Sequence, residues 1–308
     1  MKMAFLALSL IISVNVVNAS VNPAGVSDIK SFNSDIKKEE TVFEDITLEN
    51  NNMAVLVSSC DRYAALWKPF FYLLFKQWPE IKHPVYLISG DLTYSDSRVK
   101  SISIQNEKSW SDSMLIALEK IPERYVMLFL EDYWLNSKVD VDAVERYQVL
   151  MEKEKLGFIS LYVQPYPLKP HDTDSELGYM GEMQPYRTSL NVGIWDKLVL
   201  KSLLKSGENP WSFEIQGSIR SRETSEPFLS ISGKSPLSYY NAAHRGKLMP
   251  EMRLVLENEG LHLPDLSMPY QSKFERASKY IRGLIGNKIL TPIKKLIGYE
   301  GNLLPSEW

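Results

Sequence analysis

Two adjacent acids, Glu131 and Asp132, follow an uncharged run, residues 125–130, that is typical of a buried β-strand. A hard divalent cation such as Mn²⁺ or Mg²⁺ binds carboxylate oxygens together with phosphate oxygens of its substrate. Two acids at the end of a buried strand therefore suit a site that holds a nucleotide diphosphate, whereas a single acid there more often caps a helix. We expect both acids to line such a site, with Asp132 as the main metal ligand.

A second polar group ends the first apolar run of the chain, and it consists of Ser58, Ser59, Cys60, Asp61 and Arg62. Ligands of an open α/β sheet bind outside the carboxyl ends of its strands. We therefore expect Ser58, Ser59, Asp61 and Arg62 to contact a nucleotide. Asp61 can also cap the helix that follows. Cys60 has no evident histidine partner and is interpreted as a packing residue.

A third group comes from the segment ENPWSFEIQGSIRSR, residues 208–222. If a helix covers 213–222, Glu214 lies near its N-terminus, where the helix dipole favours an ionised carboxylate. Such a carboxylate can act as general base on an acceptor hydroxyl, with Trp211 packing on an acceptor ring, although a cap or an ion pair would use the same residue type. Four basic residues are candidates for contacts with a leaving diphosphate: Arg220, Arg222, Arg245 and Lys247.

These groups need a scaffold, and the alternation of strand and helix patterns predicts an α/β sheet with parallel strands. Helical patterns include one capped by Ser109 or Ser111, one from Asp140 to Glu154, and a later one, 197–205, that Asp196 can cap. Apolar runs that indicate strands occupy residues 53–60, 84–91, 125–135, 157–164 and 189–196.

Composition excludes several classes of protein. The 308 residues carry 35 basic and 38 acidic side chains, a net charge of −3, so no nucleic-acid partner is predicted. A single cysteine excludes a disulfide framework and a thiolate zinc site, and the four histidines lack metal-binding spacing. The sequence contains neither GxGxxG nor GxxxxGK[ST], which argues against a nicotinamide enzyme and a P-loop phosphotransferase.

The order and spacing of several segments resemble a family of bacterial glycosyltransferases with the A-type fold, found in lipopolysaccharide and capsule biosynthesis. The segments are VLVSSCDRY, LWKPFFYLLFKQWPE, VYLIS, SWSDSMLIALEKIPERYVMLFLEDYWL and NPWSFEIQGSIRS, and the resemblance runs from about Ala54 to about Pro264. It implies a single Rossmann-like nucleotide-binding sheet, a nucleotide-sugar donor across the end of the first strand, and an Asp-x-Asp-like metal motif. The sequence Glu131-Asp132-Tyr133 departs from that motif, so metal dependence stays open.

The predicted function is therefore transfer of a sugar from a nucleotide-sugar donor to a glycan or glycolipid acceptor. Glu214 would activate the acceptor oxygen, which attacks the anomeric carbon with inversion. Two alternatives remain: a carbohydrate-binding protein that kept the fold without the chemistry, and a sugar nucleotidyltransferase. The residues predicted to bind the nucleotide sugar are Ser58, Ser59, Asp61, Arg62, Trp110, Ser111 and Glu131.

The two ends of the chain differ from its middle. Residues 1–19 resemble a signal peptide or short anchor and 20–52 an acidic linker, ahead of a catalytic domain, 53–265. The tail, 266–308, is basic and amphipathic, and its part 273–298 is predicted to contact an anionic membrane. Because nucleotide sugars are normally supplied in the cytoplasm, we expect a membrane-associated enzyme on the cytoplasmic face. A secretory or periplasmic location through the signal-like N-terminus is the alternative.

Overall fold

The structure, a computed structural model, describes residues 52–106, 108–261 and 268–272. The predicted anchor, the acidic linker and most of the predicted tail lie outside these residues. The strands are β1 Met53–Ser58, β2 Val85–Ser89, β3 Val99–Ser103, β4 Tyr125–Leu130, β5 Tyr133–Leu135, β6 Phe158–Ser160, β7 Lys169–Pro170, β8 Leu177–Tyr179, β9 Gly193–Asp196, β10 Phe228–Ile231, β11 Tyr239–Asn241, β12 Ala243–His244 and β13 Lys247–Leu248. The helices are α1 Trp67–Gln77, α2 Trp110–Lys120, α3 Val141–Lys153, α4 Lys197–Leu203, α5 Pro210–Arg220 and α6 Met252–Asn258.

One large sheet organises the fold, with the strand order β3-β2-β1-β4-β9-β6-β10-β8-β7. Strand β1 pairs in parallel with β2 and β4, and β10 pairs in parallel with β6. Helices α1, α2 and α3 connect the early strands. The predicted α/β class with a single Rossmann-like sheet is confirmed.

Strand β9 departs from the predicted parallel arrangement, because it runs antiparallel to both β4 and β6. The reason lies in the connection before it. The amide of Leu161, just after β6, donates to the carbonyl of Val192, just before β9. The chain therefore re-enters the sheet at the edge where β6 ended, without a helical crossover, and must run in the opposite direction.

The predicted strand 125–135 is two strands, and the break falls at the acids. Strand β4 belongs to the large sheet, whereas β5 pairs antiparallel with β11 in a separate two-stranded sheet. The carbonyl of Asp132 accepts a hydrogen bond from the amide of Ala242, next to β11. Glu131 and Asp132 therefore form the turn that carries the chain from the large sheet to the small one.

Helix starts follow capping chemistry. The side chain of Ser109 accepts from the amide of Asp112 at the start of α2, and Asp140 and Asp196 cap α3 and α4 in the same way. Helix α5 begins at Pro210 with Asn209 as its cap, three residues earlier than predicted. The structure has no described helix with the length and apolar character of a membrane span.

Two apolar layers cover the sheet. Side chains of β1 alternate between them, with Val55 and Val57 on the face packed by α1 and α3, and Ala54 and Leu56 on the face packed by α2, α4 and α5. Because both faces are buried, the central strands are continuously apolar and polar side chains collect at their ends. The side chains that could take part in chemistry therefore lie at the ends of the central strands.

Candidate active site

A cavity of about 570 Å³ lies at the carboxyl ends of β1 and β4, a size suited to a small-molecule ligand. Its walls come from six stretches of chain that are distant in sequence. The lining residues are Ser58, Ser59, Cys60, Tyr63, Trp110, Leu130, Glu131, Asp132, Tyr133, Leu190, Pro210, Trp211, Glu214, Asn241, Ala243, His244, Arg245, Gly246 and Met249. The structure thus brings together eight of the predicted site residues: Ser58, Ser59, Trp110, Trp211, Glu131, Asp132, Glu214 and Arg245.

The acid pair occupies a wall of this cavity. Glu131 is 8% exposed and Asp132 is partly buried. Burial and, to a lesser extent, the charge of Asp132 raise the pKa of Glu131 to about 8, against the opposing effect of Ser59. Burial also raises the pKa of Asp132 to about 7. The two carboxyl groups repel each other in a desolvated place, so a cationic partner would stabilise them strongly.

Tyr133 connects the acid pair with the rest of the cavity. Its ring stacks on Tyr239 with 4.6 Å between centroids, and the Tyr239 hydroxyl donates to the side-chain oxygen of Asn191. Burial raises the pKa of Tyr133, as do Tyr239, Asp132, Glu214 and Glu131 in decreasing order. Glu131, Asp132 and Glu214 line the same cavity as Tyr133, and their charges all act on its phenol.

Two tryptophans fix the serines at the end of β1. The indole N–H of Trp110 donates to the Ser58 hydroxyl at 2.9 Å, and that of Trp67 donates to the Ser59 hydroxyl at 2.8 Å. Both hydroxyls consequently keep a proton that they can donate elsewhere. The Ser59 hydroxyl donates to the carbonyl of Cys60 at 3.4 Å and also lowers the pKa of the nearby Glu131 carboxyl.

Glu214 lies in the second turn of α5, because that helix begins at Pro210. Its Oε1 atom accepts from the amide of Leu190 at 2.9 Å, with the Ser189 hydroxyl at 3.4 Å. Burial raises the pKa of Glu214, and these two donors oppose the shift. The prediction that the helix N-terminus keeps Glu214 ionised is therefore wrong, because burial has the larger effect on its pKa. A raised pKa suits a carboxyl group that must gain and release a proton.

Asp61 and Arg62 lie beside the cavity and do not line it. The Asp61 carboxylate accepts from three successive amides, those of Gly90, Asp91 and Leu92, at 2.7–3.2 Å. It therefore fixes the loop after β2, and its predicted helix-capping role is wrong, since no side chain caps that turn. The Arg62 guanidinium packs against Gly246. One of its nitrogens lies 3.3 Å from the position that a Cβ atom on residue 246 would occupy.

Other predicted contacts lie away from the cavity. The Ser111 hydroxyl accepts from the amide of Glu208, and Arg220 forms a two-point ion pair with the Glu208 carboxylate at 2.6 and 2.8 Å. The first bond joins the start of α2 to the segment before α5, and the ion pair joins that segment to the last residue of α5. Arg222 is exposed in the turn after α5, and Lys247 lies in β13; neither lines the cavity.

The hairpin β12–β13 forms one wall of the cavity. The sequence predicted only two site residues there, Arg245 and Lys247. Its two-residue turn places Arg245 at φ +50° and Gly246 at φ +73°, the conformation of a tight hairpin with both central residues left-handed. The hairpin adds His244 to the cavity, along with Met249 just beyond it. The dipeptide Arg-Gly is a weak turn signal, and nothing local indicates that this turn faces the acids.

The side chains fit a hard divalent cation that a substrate shares. No group of three or more His, Cys, Asp or Glu side chains arranged for a metal occurs in the ranges that the structure describes. Two carboxylates with phosphate oxygens are the usual set for Mg²⁺ or Mn²⁺ in nucleotide sites. Glu131 and Asp132 would hold the ion, whereas Tyr133 is stacked on Tyr239. When bound, such an ion neutralises phosphate charge.

No protein-family model and no curated protein matches this sequence. Among the solved structures that share part of the architecture, three illustrate the degree of similarity. Staphylococcus aureus TarS 1–349 in complex with UDP is 12% identical with a TM-score of 0.43, and the match covers 61% of this chain and 59% of that one. A cytidylyltransferase from Leptospira borgpetersenii is 10% identical, with a TM-score of 0.36 and coverage of 61% and 79%. CMP:2-keto-3-deoxy-manno-octonic acid synthetase complexed with CTP is 11% identical, with a TM-score of 0.39 and coverage of 67% and 99%. Identities and scores this low carry no conclusion about what this chain binds or does.

Proposed function

We propose that this protein is a glycosyltransferase that moves a sugar from a nucleotide-sugar donor to a hydroxyl of a glycan or glycolipid. One observation carries the proposal: a single cavity at the carboxyl ends of parallel strands holds both a buried acid pair and a separate, anchored Glu214 beside an exposed tryptophan. The acid pair suits a diphosphate with its cation. Glu214 suits a neutral hydroxyl that must lose a proton before it attacks.

In this proposal the side chains of the cavity have separate roles. Ser58, Ser59 and the acid pair position the donor diphosphate, and Arg245 offers positive charge to the leaving group. Glu214 accepts the proton of the acceptor hydroxyl as its oxygen bonds to the anomeric carbon and the bond to the diphosphate oxygen breaks. The Leu190 amide holds the carboxylate in place throughout. Trp211 offers an aromatic face to the acceptor ring.

Nucleotidyl transfer explains this arrangement less well. The nucleophile in the transfer of a nucleotide to a sugar phosphate is already an anion, so Glu214 would have no proton to remove. The loop after β1 would also have to bind a triphosphate, and its acid Asp61 is engaged with the loop after β2. A pure binding protein would not need a carboxyl group whose pKa burial raises.

Release of nucleoside diphosphate from a panel of UDP-, GDP- and CDP-sugars, with and without Mn²⁺, tests the proposal. The wild type should release diphosphate from at least one donor, and Glu223→Gln, a change at an exposed acid after α5, should match it. Absence of release from every donor, together with pyrophosphate release from a nucleoside triphosphate and a sugar phosphate, would instead identify a nucleotidyltransferase. Nucleotide-sugar binding without either release would identify a binding protein.

A further inference from the structure

Helix α5 presents an apolar stripe to solvent. Trp211, Ile215 and Ile219 are 60%, 48% and 45% exposed, and their spacing of four residues places them along one side of the helix. The opposite side packs Phe213 and Gly217 into the core. Three large apolar side chains in a row on a helix whose buried face is already satisfied indicate a surface that contacts something apolar.

The α5 stripe, defined by these three residues, joins the cavity at Trp211. Trp211 lines the cavity together with Glu214, and the two isoleucines continue from it along the helix. With a rise of about 1.5 Å per residue the stripe is about 12 Å long. An apolar track thus begins at the side of the cavity that holds the proposed general base.

The residues around the α5 stripe suit a membrane interface. Arg222 is exposed three residues beyond Ile219, and Trp211 stands at the other end. Tryptophan favours the headgroup level of a bilayer, aliphatic side chains enter below it, and arginine binds lipid phosphates. The exposed Glu223 follows Arg222 but points elsewhere, because successive residues of a 3-10 turn diverge by a third of a circle.

The last described residues, 268–272, lie against the hairpin that forms one wall of the cavity. The amide of Gln271 donates to the carbonyl of Leu248, and Tyr270 bridges to the same residue of β13. The hairpin of β13 also supplies Arg245 and Gly246 to the cavity wall. Ser272 is the last residue described after these contacts, and the sequence that follows it, 273–295, has seven basic residues and one acid.

We propose that the α5 stripe inserts into the interfacial layer of an anionic bilayer, so that the cavity opens toward the membrane and receives a lipid-linked sugar as acceptor. The choice of acceptor rests on the proposed function; the membrane contact does not. The bilayer explains why a tryptophan shared with the cavity is followed along α5 by two exposed isoleucines and then by an exposed arginine.

The test is co-sedimentation of the full-length chain with vesicles of 70% phosphatidylcholine and 30% phosphatidylglycerol. The double variant Ile215→Gln/Ile219→Gln removes two exposed side chains outside the cavity and should lower the partition coefficient by about ten-fold. Leu198→Gln is the matched control and should bind like the wild type. Leu198 is 51% exposed at the start of α4, next to Asp196, which pairs with Tyr125 at the end of β4 away from the cavity. The far-ultraviolet circular dichroism spectrum and melting temperature of each variant establish that it is folded.

Two further measurements separate the possible outcomes. Diphosphate release from a soluble donor without vesicles should be the same in the double variant and the wild type, so loss of membrane binding and loss of chemistry are distinguishable. Equal vesicle binding by the wild type and the double variant would overturn the membrane proposal even if the donor is turned over. Conversion of a wild-type dimer to a monomer by the double variant would overturn it as well, because the stripe would then join two copies.

Discussion

The acid pair should make the stability of the folded protein depend on pH in a direction opposite to that of ordinary surface carboxylates. Burial places the pKa of Glu131 at about 8 and that of Asp132 at about 7, whereas unfolded chains have values near 4. Between these limits the folded state binds more protons than the unfolded state, so the contribution of the pair to stability is present at low pH and lost as pH rises toward 8. Each extra bound proton corresponds to about 1.4 kcal/mol per pH unit, so two raised carboxyl groups give a slope of at most about 3 kcal/mol per unit.

Urea unfolding followed by tryptophan fluorescence at pH 5, 6, 7 and 8, with a chelator present, measures this dependence. Glu131→Gln removes one titrating group and the repulsion on Asp132, so its free energy of unfolding should fall less steeply with pH, by about 1.4 kcal/mol per unit. It should also exceed the wild-type value at pH 7.5. Glu223→Gln, at an exposed position, should keep the wild-type slope. Identical slopes for the wild type and Glu131→Gln would refute the raised pKa assigned to Glu131.

Three other substitutions test separate parts of the site. Asp132→Asn should weaken donor binding and abolish any response to Mn²⁺ or Mg²⁺ in titration calorimetry, and wild-type donor affinity would contradict its role. Glu214→Gln keeps an oxygen that can accept from the Leu190 amide, so donor affinity should persist while turnover falls about 10²–10⁴-fold. Because burial raises the pKa of Glu214, the acidic limb of the wild-type pH–rate profile should lie above the ordinary glutamate range, and a limb at or below it would count against general-base catalysis. Asp61→Ala leaves three amides without their acceptor and should cost about 1–3 kcal/mol in chemical denaturation, with a change below about 0.5 kcal/mol excluding a fixing role for the loop after β2.

Local pattern was sufficient for the strands that build the centre of the sheet. The uncharged runs that became β1 and β4 are buried on both faces, so every position is apolar and the first polar residues mark the carboxyl edge. That logic placed Ser58, Ser59, Glu131 and Asp132 in one cavity. The prediction was correct for these strands because a strand that is buried on both faces consists of apolar residues, and this is visible in the sequence.

The remaining features depend on contacts between distant parts of the chain. The direction of β9 follows from the Leu161–Val192 hydrogen bond, and no residue of β9 encodes it. Strand β5 leaves the line of β4 because it finds a partner in β11, about a hundred residues later. His244 and Met249 reach the cavity only through that pairing. Asp61 has the same sequence context as a helix cap, and the proximity of the loop after β2 decides its actual bonds.

The cavity draws on residues from Ser58 to Met249, and this spread has a consequence for synthesis. A nascent chain that has emerged only to residue 238 contains the acid pair, but β5 has no strand to pair with and the wall formed by the hairpin does not exist. A ligand that needs the complete cavity can therefore not stabilise this incomplete chain. Its stabilising effect begins only when the last wall has emerged and docked, so ligand added to cells should protect finished molecules without raising the yield of early folding steps.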